Sequence, residues 1–286
     1  MAFDPRRALG AVLPLPFLRN PPPVVAVVRL AGVIGQAGPW RGGLTLESLN
    51  EPLERAFRLS RLAAVALVVN SPGGSPVQSA LIARRIRELA EEKKVRVLAF
   101  VEDVGASGGY WLATAADEII VDDCSVIGSI GVVSAGFGFP ALLERLGVER
   151  RLETAGERKA MLDPFRPRDE AEVVRLRGLL DELHETFKTQ VRNRRAGRLK
   201  APEEELFSGE FWTGRRAVEL GLADGLGHLQ GELRRRFGEK VVIRRTQQPR
   251  RWLRLRLGAT GPDPRQWTEA ALAAAEERAL WARYGL

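Results

Sequence analysis

Two glycine-rich turns carry the residues best placed to do chemistry, Ser71-Pro72-Gly73-Gly74-Ser75 and Ala106-Ser107-Gly108-Gly109-Tyr110. Each follows an apolar run of strand length and precedes a helical stretch. That placement aims backbone N–H groups, with the positive end of a helix behind them, at a common cleft. Gly73 and Gly74 let a substrate carbonyl approach the main chain closely, because no Cβ intrudes. Ser107 falls where a strand turns sharply into a helix, the steric setting of an exposed nucleophilic hydroxyl. Taken singly, either turn is also an ordinary tight connection between strand and helix.

A serine hydroxyl at its normal pKa is a weak nucleophile and needs a base within hydrogen-bond reach. The chain has two histidines. His184 sits mid-helix beside Leu180 and Phe187, where packing is the expected role, and His228 opens a short helix, where a cap or surface role is expected. None lies between Ser107 and His184, which argues against a Ser-His-Asp order and leaves lysine. Six of the 44 basic residues are lysines and the rest are arginines. A guanidinium stays protonated in proteins, whereas a desolvated ammonium can give up its proton. Moving a lysine from about 10.4 to about 7–8 costs the charged form roughly 4 kcal/mol, within reach of burial. A chain that otherwise writes Arg keeps Lys where a base is wanted, and Lys159, in the stretch Thr154 to Phe165, is the candidate. In isolation, a lysine is more often a solvated surface charge.

The elements that must hold these residues can be read from periodicity. Val24–Leu30, the run Ala63–Asn70, Val95–Val101 and Glu118–Val121 are strand-length apolar runs. Between them Leu44–Leu59 and a stretch from Ser75 to Lys94 read as helices, the latter with Ser75 as N-cap and Pro76 at its first position. Alternation of this kind predicts an α/β fold with a mostly parallel sheet. A long amphipathic helix is expected over 167–195, with Leu176, Leu180, Leu183, Phe187 and Val191 on one stripe. An Ala-rich helix is expected from Pro264 onward. The domain reading is an N-terminal arm over 1–23, a core over 24–230 and a basic C-terminal extension over 231–286.

Composition narrows the class. Of 286 residues, 45% are apolar and 28% charged, a mixture that folds. No apolar run approaches the roughly 20 residues of a membrane-spanning helix. One cysteine, Cys124, excludes an internal disulfide framework and a Cys-rich zinc site, and no cofactor is implied. The net charge of +8 is concentrated between Gly231 and Arg256, a segment suited to an anionic surface such as phospholipid. Aromatic residues are sparse there (Phe237 and Trp252), which disfavours nucleic acid. Arg6 and Arg7 precede an apolar stretch, but Pro14 and Pro16 break it and no small-residue cleavage site follows. The expectation is therefore a cytoplasmic protein with peripheral membrane contact.

The joint order of several segments resembles the SppA-type signal peptide peptidases. These are Ser71–Ser75, Ala106–Tyr110, Gly128-Ser129-Ile130-Gly131-Val132, Lys159 ahead of Asp163-Pro164-Phe165, and Thr213–Ala217 leading to Gly221-Leu222-Ala223-Asp224. The resemblance covers residues 24 to 230 and is closest to the short, single-domain members. It implies a Clp protease/crotonase-like spiral of ββα units and a Ser-Lys dyad, with Ser107 as nucleophile and Lys159 as general base and then acid. It further implies Gly74 and the N–H of Gly108 as oxyanion hole, Ser129 as the group orienting the lysine amine, peptide substrates, and a ring-like homo-oligomer. Trp111 stands where a second tyrosine is common, and Asp122-Asp123-Cys124 replaces a usually neutral turn. Two other readings share the fold. A crotonase-like acyl-CoA enzyme would need positioned carboxylates, for which Glu102 and Asp103 are nearest, and a membrane-associated scaffold would need no chemistry.

Overall fold

The computed structural model describes residues 21–35, 43–246, 274–275 and 277–286. Most of the expected N-terminal arm, the Arg250–Arg256 part of the basic segment and the start of the expected C-terminal helix with Trp267 lie outside the described residues.

Strand β1 (Val24–Ala31) is followed by helix α1 (Leu46–Phe57), β2 (Leu62–Ser71), α2 (Pro76–Lys93) and β3 (Arg96–Ala106). Local chemistry sets these boundaries. Thr45 and Ser48 form a reciprocal capping box at the start of α1. Ser75 caps α2, accepting from the Gln78 N–H, with Pro76 at the first helical position where a missing donor costs nothing. The chain continues through α3 (Gly108–Ala113), β4 (Glu118–Val121), β5 (Val126–Gly128), α4 (Pro140–Leu146) and the long α5 (Glu170–Arg194). It closes with α6 (Glu203–Leu206), β6 (Phe211–Thr213), α7 (Gly214–Glu219), β7 (Gly225–Leu226), α8 (Leu229–Phe237) and β8 (Val242–Arg245). Residues 277–282 are helical.

The sheet runs β6-β5-β3-β2-β1-β8, with β4 and β7 branching from β3, and every pairing is parallel except β5 with β6. One face packs against α1, α2, α3 and α5 through residues such as Leu30, Leu53, Leu67, Ile82 and Leu112. The other face holds Val25, Val27, Val68, Leu98 and Phe100 under Leu233 of α8. Burial on both faces is why β1, β2 and β3 read as unbroken apolar runs rather than alternating ones. The strand β8 pairs with β1, which makes Val242–Arg245 an edge strand of the same sheet.

One departure from the sequence reading positions the site. The third strand was expected to end at Val101, yet it continues to Ala106. Its first half pairs with β4 at Leu98–Val101 and its second half with β5 at Val104–Ala106. A register shift against β2 between Val69 and Ser71 marks the fork. Glu102 and Asp103 sit at this irregularity, where Glu102 pairs with Arg29 at 2.6 Å and Asp103 accepts from Asn70 at 2.7 Å.

A buried polar cluster fixes α3 from beneath. The Tyr110 hydroxyl donates to the Leu222 carbonyl at 2.8 Å, and burial pushes its phenol pKa well above the ordinary range. Arg195, 1% exposed, donates to the Gly221 carbonyl and pairs with Asp224 at 2.6 Å. Asp224 also accepts the Ile119 N–H at 2.7 Å, tying β4 to the same point.

Candidate active site

Ser107 joins β3 to α3 with φ 52° and ψ −123°, a conformation that costs an L-residue of order 1–3 kcal/mol and that the surrounding bonds enforce. Its N–H donates to the Gly128 carbonyl at 2.8 Å, and its carbonyl accepts the Trp111 N–H at 3.0 Å. The side chain makes no capping bond to the helix it precedes, so the hydroxyl is left facing the cleft.

Across from it runs the first glycine turn. A Cβ placed on Gly73 would lie 2.8 Å from Ser107 Cβ, 2.9 Å from the Gly108 nitrogen and 3.0 Å from Ser107 Oγ. Glycine at 73 therefore keeps open the space directly over the serine and the amide that follows it. Gly74 is held by a two-sided bridge to Ile34, in which the Ile34 N–H donates to Gly73 and Ser75 N–H donates to Ile34, each at 2.8 Å. The Gly108 N–H is the first of a helix, with no carbonyl one turn earlier to receive it. Among the described residues neither the Gly74 nor the Gly108 N–H donates to a backbone carbonyl. Two such donors beside a serine suit a developing oxyanion.

A cavity of about 370 Å³ opens above these groups and is lined by Gly74, Ser107, Gly108 and Ser129 together with apolar side chains. Ser129 follows β5 at φ 51°, is 6% exposed, and is anchored by its N–H to the Glu210 carbonyl at 2.6 Å. The structure thus brings together four of the five residues singled out from sequence. Lys159 is the fifth, and it does not line the cavity; it lies on an exposed turn, its N–H donating to the Gly156 carbonyl at 3.1 Å.

That turn is nonetheless well braced. Asp163 takes an ion pair from Arg150, whose guanidinium lies 4.7 Å over the Phe165 ring. The hydrogen bond from Arg150, with the Phe165 N–H, holds the Asp163 carboxyl below its usual range. The Pro164 carbonyl accepts the Phe139 N–H at 2.7 Å, and Phe139 packs on Phe165. The Asp163-Pro164-Phe165 motif is therefore a clasp that shapes the segment displaying Lys159.

Other contributors escaped the sequence reading. His184 Nε2 donates to the Ile130 carbonyl at 3.0 Å, which pins the loop after Ser129 and occupies one ring nitrogen. Trp111 stacks on Phe187 with centroids 4.8 Å apart, and both line the cavity. The stripe that carries Phe187 is visible in the sequence and Trp111 stands out there as a departure from the family pattern, but that the two stack in one wall is not. Leu280 and Arg283, from the chain's last helical turns, also line it. No pattern in the sequence marks them, since they arrive from more than 150 residues beyond Ser107. Glu102 and Asp103, the carboxylates a crotonase-like reaction would require, are absent from the lining.

On a mostly parallel sheet, a serine between strand and helix thus shares one cavity with two amides that have no backbone acceptor among the described residues. The chain belongs to peptidase family S49, whose family model matches residues 89–239. Its mostly parallel sheet with helices packed on it is the α/β class expected from the sequence. A Brucella abortus protein named Na(+)/H(+) antiporter NhaA is 50% identical over 272 residues, 92% of this chain and 37% of that protein. The chloroplastic serine protease SPPA of Arabidopsis thaliana is 32% identical over 213 residues, 72% of this chain and 31% of that protein. The chain thus spans about a third of the length of these relatives. A solved 1510-N membrane-bound stomatin-specific protease in complex with a substrate peptide has a TM-score of 0.47 at 14% identity, covering 89% of this chain and 99% of that one. Among the described residues no helix is long and apolar enough to cross a membrane.

Proposed function

We propose that this chain is a serine endopeptidase with a Ser-Lys dyad that cuts extended apolar peptides such as signal-peptide remnants. Ser107 Oγ attacks the scissile carbonyl carbon while its proton passes to the neutral Lys159 amine. The Gly74 and Gly108 N–H groups hold the carbonyl oxygen as it becomes an oxyanion. Lys159 then gives its proton to the leaving amine, and an acyl-Ser107 ester remains. Water, deprotonated by the same amine, frees the new carboxylate and restores the serine. Ser129 is assigned the role of orienting the amine with an uncharged hydrogen bond. The observation carrying this assignment is the convergence of a strained Ser107 with Gly74, Gly108 and Ser129 in one cavity.

Lys159 needs a dry setting, and in a single chain its segment stands in solvent. Residues 133–165 also expose an unusual set of large apolar side chains, among them Phe137 at 84%, Leu146 at 65% and Val133 at 64%. Exposed large apolar side chains concentrated in one segment favour a protein interface. Assembly of copies, in a ring of the kind expected from sequence, would bury the segment and complete the dyad. The basic segment is assigned peripheral contact with anionic lipid. Arg235 and Arg236 are committed to Glu232, and Arg236 also to Glu118, which leaves Arg234, Lys240, Arg244 and Arg245 as the exposed cations of its described part.

A fluorophosphonate probe tests the chemistry. Wild type should label, Ser107→Ala should not, and Lys159→Ala should label at least 100-fold more slowly. Unlabelled wild type that turns over an acyl-CoA thioester would overturn the peptidase assignment.

A further inference from the structure

The cavity has a composition that selects among peptides. Trp111, Val132, Val133, Leu183, Phe187 and Leu280 give it an apolar wall, beside Ser107, Ser129 and Ser208. Among the described residues lining it, Arg283 is the one ionised side chain. No ion pair or hydrogen bond engages the Arg283 side chain among the described residues, and it is exposed. The turn bearing it is fixed from its other side, where the Tyr284 ring packs edge-on against Phe211 of β6 at 5.2 Å and 74°. The β6 strand in turn pairs with β5, which leads directly into Ser129. The backbone turn that carries Arg283 thus rests on the strand that pairs with the one leading into Ser129.

Taking the cavity as the peptide-cleaving site proposed above, we infer that Arg283 is a specificity-determining residue that recruits a substrate carboxylate. The preferred peptide carries an apolar side chain for the Trp111–Phe187 wall and a carboxylate within reach of Arg283. A guanidinium presents a planar fork that matches a carboxylate with two parallel N–H···O bonds and stays charged at every working pH. As a fixed positive charge at the cleft, the same group disfavours peptides bearing Lys or Arg at that position. Two sources supply the carboxylate: an Asp or Glu side chain within the peptide, or the free α-carboxylate at its end.

Binding and cleavage are measured separately, so that failure here and failure of the peptidase assignment are told apart. Binding uses fluorescent peptides on the Ser107→Ala protein, with matched pairs that differ as Glu against Gln or as free C-terminus against C-terminal amide. The charged member of one pair should bind about fivefold more tightly, the scale of a solvent-accessible ion pair. The pair that discriminates identifies the source. Adding Arg283→Gln should bring that ratio to about one, Arg283→Lys should retain part of it, and Arg283→Glu should reverse it in favour of Lys-containing peptides. Equal binding within both pairs, or a ratio that survives Arg283→Gln, overturns the inference. Cleavage of the same peptides by protein with Ser107 intact then bears on the peptidase assignment alone.

Discussion

At the scale of single residues, the site is governed by what is missing rather than by what is present. Gly73 contributes no group to the chemistry, yet an added methyl there would meet Ser107 and the Gly108 amide at 2.8–3.0 Å. Its positive φ of 106° would strain any other residue as well. Gly73→Ala should therefore lower kcat by about 100- to 1,000-fold, the cost of losing an oxyanion donor, while KM for a good peptide moves less. Steady-state kinetics check this, with circular dichroism to establish that the fold is kept; an alanine variant of near-normal kcat would mean the oxyanion lies elsewhere. The glycine pairs were legible in the sequence because their need is local. That Gly73 serves Ser107 from across the cleft was not, since 34 residues separate them.

At the scale of elements, the helix that follows Ser107 depends on a distant ion pair. Burial raises the Asp224 carboxyl, but hydrogen bonds from Arg195 and the Ile119 N–H, and the charges of Arg195 and Arg198, outweigh it and leave the group lowered. A carboxyl lowered by folding stabilises the native state at pH above its unfolded value of about 3.9, and that stability fades as pH falls through the folded value. The protein should hold its stability from neutral pH to about 5 and lose it in more acid solution. Asp224→Asn leaves buried Arg195 without its counter-charge and should cost about 3–5 kcal/mol at pH 7, with the gap to wild type narrowing at pH 3. Urea melts at both pH values measure it; a pH-independent gap would remove Asp224 ionisation from the account. The Gly221-Leu222-Ala223-Asp224 stretch was visible as part of a family pattern. Its work, closing on Tyr110 and Arg195, required the packed molecule. The fork of β3 was hidden for a similar reason: Val104–Ala106 are strand because β5 pairs with them, and nothing within the segment declares that partner.

For the molecule as a whole, the exposed position of Lys159 leads to a prediction about assembly. Mixing inactive Ser107→Ala with inactive Lys159→Ala should recover part of the wild-type peptidase rate if one copy lends its lysine to the serine of its neighbour. Recovery should vanish when Phe137→Asp blocks association, as read by analytical ultracentrifugation. Mixed oligomers without recovered activity would place the base within the serine's own chain. What the amino-acid order determined by itself was whatever acts over a few residues or one period. Strand runs, caps, the glycine turns around Ser107 and a lysine kept among arginines all belong to that range. Only the tertiary structure decided which remote segments share a wall, because such contacts depend on sheet order and on the path of the last helix. It put Arg283 at the cleft and Lys159 outside it, and no spacing along the chain encodes either distance.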